Sequence, residues 1–521
     1  MVKRTLFTYL VITSALSVAA FAEFQANTYT PQDQDSAAIA IDPNGNFIVV
    51  WESYDQKGLS QDANSNGIYC QRFDANDTPL GSEFLINTTT FGDQTEPEVA
   101  VDQAGDFVVA WYGPGPDRED VFARLFDANG QAKGPEFRVN TTTFSRQLNS
   151  NVAMNASGKF VIVWQSEILG GHPQDAWEIH ARRYEPNGQP NGNEFWINEL
   201  LQCRYPDVAM DGAGNFTIVW MQDDIYHSYN LIMARLYNAN GTAKTNPLEV
   251  STTEFYTVSK PSIAADGSGH FVVAWYAHPN SASLNDIYAR RYKFDGTALS
   301  DEFRVNTTLA GVQQDPKVAM NNNREFIIVW NSETEPDSNE RNIFAQRYDA
   351  LYMPIGDEFG VNTYVVADQK YPDVAMKADG SFVTVWQSYD QDGSEDGIFG
   401  EFGPKIGSAD FTCDELVNFC DFCILAKEWL EQDEPLETDL IDDNIIDGRD
   451  LAAFIEQWLT PRLSCGSADI YSDGKIDFKD YALWSQGWLK EGPLDGDITG
   501  NGTVDGVDLR ALIFHWASDC E

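Results

Sequence analysis

The chain has 521 residues, 34 of them basic and 80 acidic, so its formal net charge at pH 7 is −46. Phosphate binding needs clusters of Lys and Arg, so this charge excludes nucleic acid as an expected partner. The chain has 7 cysteines, an odd number, so disulfide pairing within the chain leaves at least one thiol over.

The first 22 residues predict an export signal. Lys3 and Arg4 precede an apolar stretch at 6–18, and the segment 20–22 (Ala-Phe-Ala) has the pattern of a cleavage site. The apolar stretch is too short to span a bilayer well, and no other segment approaches the about 20 apolar residues of a membrane helix. We expect a secreted or cell-surface protein without a transmembrane segment, whose mature chain starts near Glu23.

Residues 23–406 repeat one pattern: an Asp- or Asn-rich turn followed by Phe-x-[Val/Ile/Thr]-x-Trp. The pattern ends at Trp51, Trp111, Trp164, Trp220, Trp275, Trp330 and Trp386. Each repeat contains strand-like segments, which in the second repeat are 99–101, 107–111, 121–126 and 137–140. Four short antiparallel strands in a period of about 50 residues are typical of a propeller blade.

The seventh repeat predicts how the ring closes. It supplies strands at 374–376, 382–386 and 398–402 but no fourth, while a matching segment, 23–28, stands alone at the mature N-terminus. Pairing of that segment into the last blade would remove exposed sheet edges. The expected fold class is mostly β: a seven-bladed β-propeller over 23–406, closed by the N-terminal strand and followed by a small α-helical domain.

Most repeated residues have structural explanations. Cys70 occupies a third-strand position that is small in every repeat, so we expect it to be buried as an apolar residue. The Asp or Asn before the turn, such as Asp42, is expected to bond its own turn backbone rather than a metal. The recurring third-strand arginines are expected to pair with neighbouring acidic turns. They are Arg72, Arg124, Arg182, Arg235, Arg290 and Arg347.

The repeats differ most between their second and third strands. Segment 53–56 in blade one and segment 388–391 in blade seven are both Ser-Tyr-Asp-Gln, and ring closure makes these blades neighbours. Blades three and four add His172, Trp177, His227 and Tyr229. We expect this rim to bind a ligand, with a glycan as the candidate. The oxygen side chains of Asp390, Asp392, Ser394 and Asp396 also offer a spacing that suits Ca²⁺.

After residue 406, four acidic loops each precede an apolar helix that ends in Trp. The fourth loop places oxygen side chains at positions 1, 3, 5, 9 and 12 and Gly at position 6, and Thr503 at position 7 supplies its carbonyl. This spacing suits an oxygen cage around Ca²⁺. Loops two and three carry Ile441 and Tyr471 at position 3, so they bind more weakly or use water there. The candidate ligands are Asp410, Thr412, Asp414, Asn418, Asp421, Asp439, Asp443, Asp447, Asp450, Asp469, Asp473, Asp477, Asp480, Asp497, Thr499, Asn501, Thr503, Asp505 and Asp508.

A loop with one helix, and Asp rather than Glu at position 12, resembles the dockerin repeats of bacterial secreted proteins. The loops form two similar pairs, which predicts two dockerin-like modules in tandem, 407–465 and 466–521. The resemblance implies bound Ca²⁺ and attachment to a cohesin-like protein or another cell-surface partner. Positions 10 and 11 of the loops lack the Ser-Thr pair that is common in cellulosomal dockerins, so the resemblance does not identify the partner.

Two main hypotheses of function follow, from different classes. The first is a secreted calcium-binding protein whose propeller is a binding scaffold, working in an extracellular polysaccharide or surface assembly. The alternative is a polysaccharide-active glycosidase or lyase with catalytic carboxylates on one rim of the propeller. No nucleophile elbow, zinc motif or phosphate loop is present in the sequence, so we favour the scaffold. A purely structural surface protein is a third hypothesis.

Overall fold

The computed structural model describes residues 23–54, 65–169, 176–198, 202–224, 229–253, 255, 257–278, 284–333, 341–350 and 352–403. Within these residues the chain forms seven four-stranded antiparallel sheets. Neighbouring sheets contact each other in a ring, so each sheet is one blade of a propeller. The predicted seven-bladed β-propeller is confirmed. The predicted signal peptide and the two dockerin-like modules lie outside the described residues.

Within each blade, three consecutive strands run from the centre of the ring outward. The fourth and outermost strand follows them in six blades and is supplied by the N-terminal strand in blade seven. The innermost strands are β2 (Gln34–Ile41), β6 (Thr95–Val101), β10 (Gln147–Met154), β14 (Cys203–Met210), β18 (Thr257–Ala265), β22 (Gln313–Met320) and β26 (Gln369–Met376). The second strands are β3 (Phe47–Tyr54), β7 (Phe107–Pro114), β11 (Phe160–Glu167), β15 (Phe216–Asp224), β19 (Phe271–His278), β23 (Phe326–Glu333) and β27 (Phe382–Tyr389). The third strands are β4 (Asn66–Phe73), β8 (Glu119–Phe126), β12 (Trp177–Tyr184), β16 (Tyr229–Tyr237), β20 (Asp286–Tyr292), β24 (Arg341–Tyr348) and β28 (Asp396–Gly403). The outermost strands are β5 (Phe84–Leu85), β9 (Phe137–Arg138), β13 (Phe195–Trp196), β17 (Leu248–Glu249), β21 (Phe303–Arg304), β25 (Pro354–Gly360) and, in blade seven, β1 (Phe24–Gln25).

The ring closes where the sequence predicts. β1 pairs with β28, with Phe24 opposite Gly400, and β2 contacts β26 across the junction. The Glu23 carboxylate accepts hydrogen bonds from the amides of Thr363 and Tyr364 in the neighbouring blade. Equivalent Glu-to-Thr contacts recur between other blades, so the closing junction is built like the rest.

Buried side chains fill the space between adjacent sheets. The seven tryptophans of the repeated pattern are at most 1% exposed. In four blades the indole Nε1 donates to a glutamine side chain at the start of the innermost strand, at 2.8–3.1 Å. These tryptophans therefore belong to the core.

A buried polar side chain, an asparagine in six blades, ties the third strand to the segment after the outermost strand. Its Oδ1 accepts the amide hydrogen of a third-strand residue at 2.6–2.9 Å, and Ser251 Oγ does the same in blade four at 2.9 Å. The asparagines are Asn27, Asn87, Asn140, Asn198, Asn306 and Asn362. We call these seven residues the amide clamps.

The structure supports two predicted structural roles and corrects a third. Cys70 is fully buried, and Asp42 Oδ1 accepts the amides of Asn44 and Asn46 at 2.8 and 3.0 Å. The prediction that third-strand arginines pair with acidic turns is wrong for four of them. Arg124, Arg182, Arg235 and Arg290 instead donate to backbone carbonyls of the preceding blade at 2.7–3.0 Å. A carbonyl at the end of a two-residue strand lacks a ladder partner, and the guanidinium satisfies it.

Candidate active site

Each innermost strand is interrupted by a bulge at the same place. The register against the second strand shifts there, as between Asp35 and Ala38 in blade one. The seven bulge residues all have a positive φ of 47–54°, and none is Gly: Ser36, Glu96, Asn149, Tyr205, Lys260, Asp315 and Tyr371. A left-handed conformation is costly for such residues and is often found at functional sites. The bulges re-aim one side chain per blade, and all seven line the same cavity.

The cavity lies in the central channel and has a volume of about 730 Å³. Residues from the innermost strands of all seven blades line it. Its volume falls within the about 300–1,000 Å³ of typical ligand pockets. Many of its lining residues lie where innermost strands begin and second strands end, and antiparallel pairing brings those ends to the same rim of the propeller.

One side of the cavity is acidic. Asp35 on β2 lies directly opposite Glu52 on β3, so their Cβ atoms are about 4.5–5.5 Å apart. Gln387 Nε2 donates to Asp35 Oδ1 and to Asp396 Oδ2, both at 3.0 Å, so these oxygens are no farther apart than twice that distance. Asp33 also lines this side. We call Asp33, Asp35, Glu52 and Asp396 the acidic wall.

The acidic wall favours neutral carboxyl groups. Burial, and then the carboxylates of Asp396 and Asp33, raise the pKa of Asp35 to about 7. Burial, and then repulsion from Asp35, raise the pKa of Glu52 to about 7, although Ser36 Oγ donates to Glu52 Oε1 at 3.0 Å. Burial also raises the pKa of Asp396, but the Lys370 ammonium 3.4 Å away opposes that shift. The wall thus offers two carboxyl groups, Asp35 and Glu52, that hold a proton near pH 7, beside Asp396, whose raised pKa the Lys370 ammonium partly offsets.

Aromatic and basic groups also line the cavity. Tyr205, Lys260 and Tyr371 are bulge residues of blades four, five and seven. Lys260 Nζ pairs with the Asp315 carboxylate and lies 5.2 Å from the centre of the Tyr371 ring. Tyr371 is 42% exposed, so its ring is available to a ligand. We call Tyr205, Lys260 and Tyr371 the aromatic wall.

Two residues after the bulge, a second ring of side chains faces the channel. Lys317 Nζ lies 3.3 Å from Glu98 Oε1 and 3.7 Å from Asp373 Oδ1. Burial raises the pKa of Glu98 to about 7, although the Lys317 charge acts against this. Asp373 Oδ2 also accepts the amide of Ile39 in the next blade at 2.9 Å. This level of the channel is therefore crossed by charged side chains.

The predicted calcium ligands from Asp410 to Asp508 all lie outside the described residues, as do Asp55, Gln56, His172 and His227. In blade seven the Asp390–Asp396 run does not form a cage. Asp392 Oδ2 accepts from Gln25 Nε2 at 2.9 Å, whereas Asp396 points into the cavity. Within the described part of the chain no group of three or more His, Cys, Asp or Glu is arranged to hold a metal.

The cavity lies toward the rim for which the sequence predicts ligand binding, but most of its lining residues are not those named in the prediction. Asp396, of the blade-seven run, joins the acidic wall, whereas Trp177 is only 7% exposed. Asp35, Glu52 and Lys317 were not predicted. The sequence does contain a signal for Lys317. The residues on either side of the proline in the innermost strand vary among repeats that are otherwise alike. These segments are 96–98, 205–207, 260–262, 315–317 and 371–373.

No protein-family model matches the chain, and no curated protein matches it. Among solved structures it is similar to a protein of unknown function from Dyadobacter fermentans, at 12% identity and a TM-score of 0.44, covering 74% of this chain and 97% of that one. It is also similar to the Penicillium chrysogenum alpha-L-arabinanase complexed with arabinobiose, at 10% identity and a TM-score of 0.42, covering 74% and 98%. The GH93 alpha-L-arabinofuranosidase of Fusarium graminearum with arabinobiose matches at 8% identity and a TM-score of 0.39, covering 74% and 97%. At these values the comparisons assign no function to the chain.

Fold and site together define a seven-bladed propeller with an acidic cavity in its channel. No helix among the described residues is long and apolar enough to cross a membrane.

Proposed function

We propose that the propeller is a polysaccharide-active enzyme that hydrolyses a glycosidic bond in its central cavity. One observation carries the proposal: Asp35 and Asp396 are held side by side by Gln387, and the pKa of Asp35 is raised to about 7. Glycoside hydrolysis commonly uses a pair of carboxyl groups, one protonated and one ionised. This is the enzymatic alternative of the two sequence hypotheses.

The two carboxyl groups take different roles in this proposal. Neutral Asp35 donates its proton to the glycosidic oxygen, which lets the leaving sugar depart as an alcohol. Asp396, whose anionic form the Lys370 ammonium favours, faces the positive charge that develops on the sugar ring and either attacks the anomeric carbon or activates a water. Glu52, whose pKa is also raised to about 7, mainly by burial, is a second carboxyl group beside Asp35 that can donate a proton.

The charge of the cavity favours an uncharged glycan. Eight Asp and Glu residues line it, against three Lys residues. A polyuronate would bring further negative charge to a surface that already repels it. Tyr205 and Tyr371 on the aromatic wall offer faces on which a sugar ring stacks.

The experiment is reducing-sugar release from a panel of neutral polysaccharides, with polygalacturonate as the anionic comparison. We expect turnover of at least one neutral glycan, and a fall in kcat/KM of about 10²–10⁴-fold in Asp35→Asn and Asp396→Asn. Asp390→Asn, an exposed carboxylate of the same blade, is the matched control and should keep wild-type activity.

Two results would contradict the proposal. Undiminished turnover in both site variants would place the chemistry elsewhere. Glycan binding without turnover of any substrate would favour the binding scaffold instead.

We further propose that residues 407–521 are calcium-stabilised attachment modules on a secreted protein. The loop spacing and the resemblance to dockerin repeats support this. Chelation of the full-length protein should lower the melting temperature of one calorimetric transition and leave the propeller transition nearly unchanged, because loss of a ligand destabilises only the part that binds it. A thermogram identical with EDTA and with Ca²⁺ would reject the calcium assignment.

A further inference from the structure

The ion pair between Lys317 and Glu98 spans the middle of the channel. Lys317 lies on the innermost strand of blade six and Glu98 on that of blade two. Going around the ring, these blades are three steps apart on one side and four on the other, and no two blades of seven are farther apart. A contact of 3.3 Å between Lys317 Nζ and Glu98 Oε1 must therefore cross the channel axis.

The neighbourhood holds this pair in place. Asp373 contacts the same ammonium at 3.7 Å and is itself fixed by the Ile39 amide. Pro97 and Pro316 precede Glu98 and Lys317 and restrict the backbone on which they stand. The side chains of Lys317 and Glu98 are 30% and 24% exposed, and both line the cavity. They form its floor.

The floor lies well below the acidic wall. Asp35 precedes the bulge by one residue, and the floor residues follow it by two. Because the bulge adds an extra residue, these three steps match only two residues of the partner strand, or roughly 7 Å along the channel at about 3.3 Å per residue. Below the carboxyl groups, the channel is therefore crossed by the Lys317–Glu98 pair.

We infer that the cavity is a blind pocket that admits only the end of a glycan chain, and that Lys317 and Glu98 determine how much of that end enters. The inference rests on the proposed function and adds its mode of action. A chain threaded end-first reaches the acidic wall with a short terminal segment on the floor, so cleavage releases a mono- or disaccharide. Lys317 is thus a specificity-determining residue rather than a catalytic one.

Linear and cyclic neutral oligosaccharides of the same linkage and size test this, since a cyclic glycan has no end. Products are followed over time by chromatography, and binding is measured separately with Asp396→Asn. We expect short products from the earliest times, no cleavage of the cyclic glycan, and at least 10-fold tighter binding of the linear one. Lys317→Ala should lengthen the products, whereas Lys293→Ala, an exposed lysine, should not.

The outcomes separate the two proposals. Cleavage of cyclic glycans, or long products released first by wild type, overturns the blind pocket and leaves the hydrolase intact. If no glycan is cleaved, the proposed function fails, and the binding comparison alone decides whether the pocket takes chain ends. Equal binding of linear and cyclic glycans, or binding of neither, overturns the inference.

Discussion

Asp35 combines a structural cost with the chemical role that we propose for it. It stands on the innermost strand beside two other carboxyl groups, Asp396 and Asp33, and the Lys370 ammonium offsets only part of their repulsion. Its neutral form is therefore favoured near pH 7, which is the form that a general acid needs. Groups arranged for chemistry are often unfavourable for stability.

The cost of Asp35 has a definite pH dependence. Its pKa rises from 3.8 to about 7 on folding, so Asp35 costs no stability below about pH 4, costs more as the pH rises toward 7, and costs a constant amount above that. Asp35→Asn removes the ionisation. We expect this variant to melt above wild type at about pH 8, by about 1 °C for each kcal/mol relieved, because a domain as large as the propeller has a large unfolding entropy, and close to wild type at about pH 4. Differential scanning calorimetry at both pH values measures this.

Asp390→Asn is the control for the same calorimetry, because that exposed carboxylate lies outside the acidic wall. A melting difference of equal size at both pH values would show that Asp35 is not ionising in the folded protein between them.

Repeated residues were predictable and cavity residues were not, for a physical reason. Asp42 and Cys70 have roles set by their own turn or strand, and the same role recurs in each repeat. Asp35 and Glu98 acquire theirs from groups on other blades, which no single repeat contains. Asp396 was noticed only as part of a run in sequence, although its partners are Gln387 and Lys370 across the blade.

At the scale of the element, each blade is held by hydrogen bonds as well as by its core. The outermost strands are short, six of the seven having only two residues. The amide clamps add side-chain bonds from the segment after that strand back to the third strand. Because these side chains are buried, losing one of these hydrogen bonds would leave a buried polar group unpaired and lower the stability of the fold.

Asn140 allows a graded test of one clamp. Its Oδ1 accepts the Val121 amide at 2.8 Å, and its Nδ2 donates to Asp120 Oδ1 at 2.6 Å and to the Thr142 carbonyl at 2.7 Å. Asn140→Ala leaves buried groups unpaired and should lower the free energy of unfolding by about 3 kcal/mol. Asn140→Ser should cost less, because Ser251 performs this role in blade four.

Urea denaturation measures both clamp variants, with Asn129→Ala on an exposed turn as the control. If the serine variant is as unstable as the alanine variant, the clamp does not act through the acceptor oxygen.

At the scale of the whole molecule, the ring exists because its two ends meet in one blade. The sequence predicted this because the seventh repeat lacks a fourth strand, while the segment 23–28 has the pattern of the fourth strands in the other repeats. The cavity depends on the same closure: Asp35 belongs to blade one, while Gln387 and Asp396 belong to blade seven. The acidic wall is therefore assembled across the junction that β1 completes.

Deleting residues 23–28 should weaken the fold and the site together. Phe24 packs against Phe47, Phe73 and Phe402, with ring centres 5.3–5.7 Å apart. Loss of a buried Phe costs about 3–5 kcal/mol, so we expect the melting temperature to fall by at least about 5 °C. Activity should fall with it, because Asp396 on β28 loses the neighbouring strand.

A synthetic peptide of residues 23–30 supplied in trans is the decisive addition. It should bind the open edge of β28 and restore both melting temperature and activity, because β1 is held by strand pairing and by side-chain contacts rather than by its covalent connection alone. A peptide in which Phe24 and Asn27 are replaced by Ala should fail to rescue, since it lacks the ring contacts and the clamp to Ile398. If the truncated protein melts with wild type, or the altered peptide rescues equally well, β1 does not close the ring and the acidic wall does not depend on it.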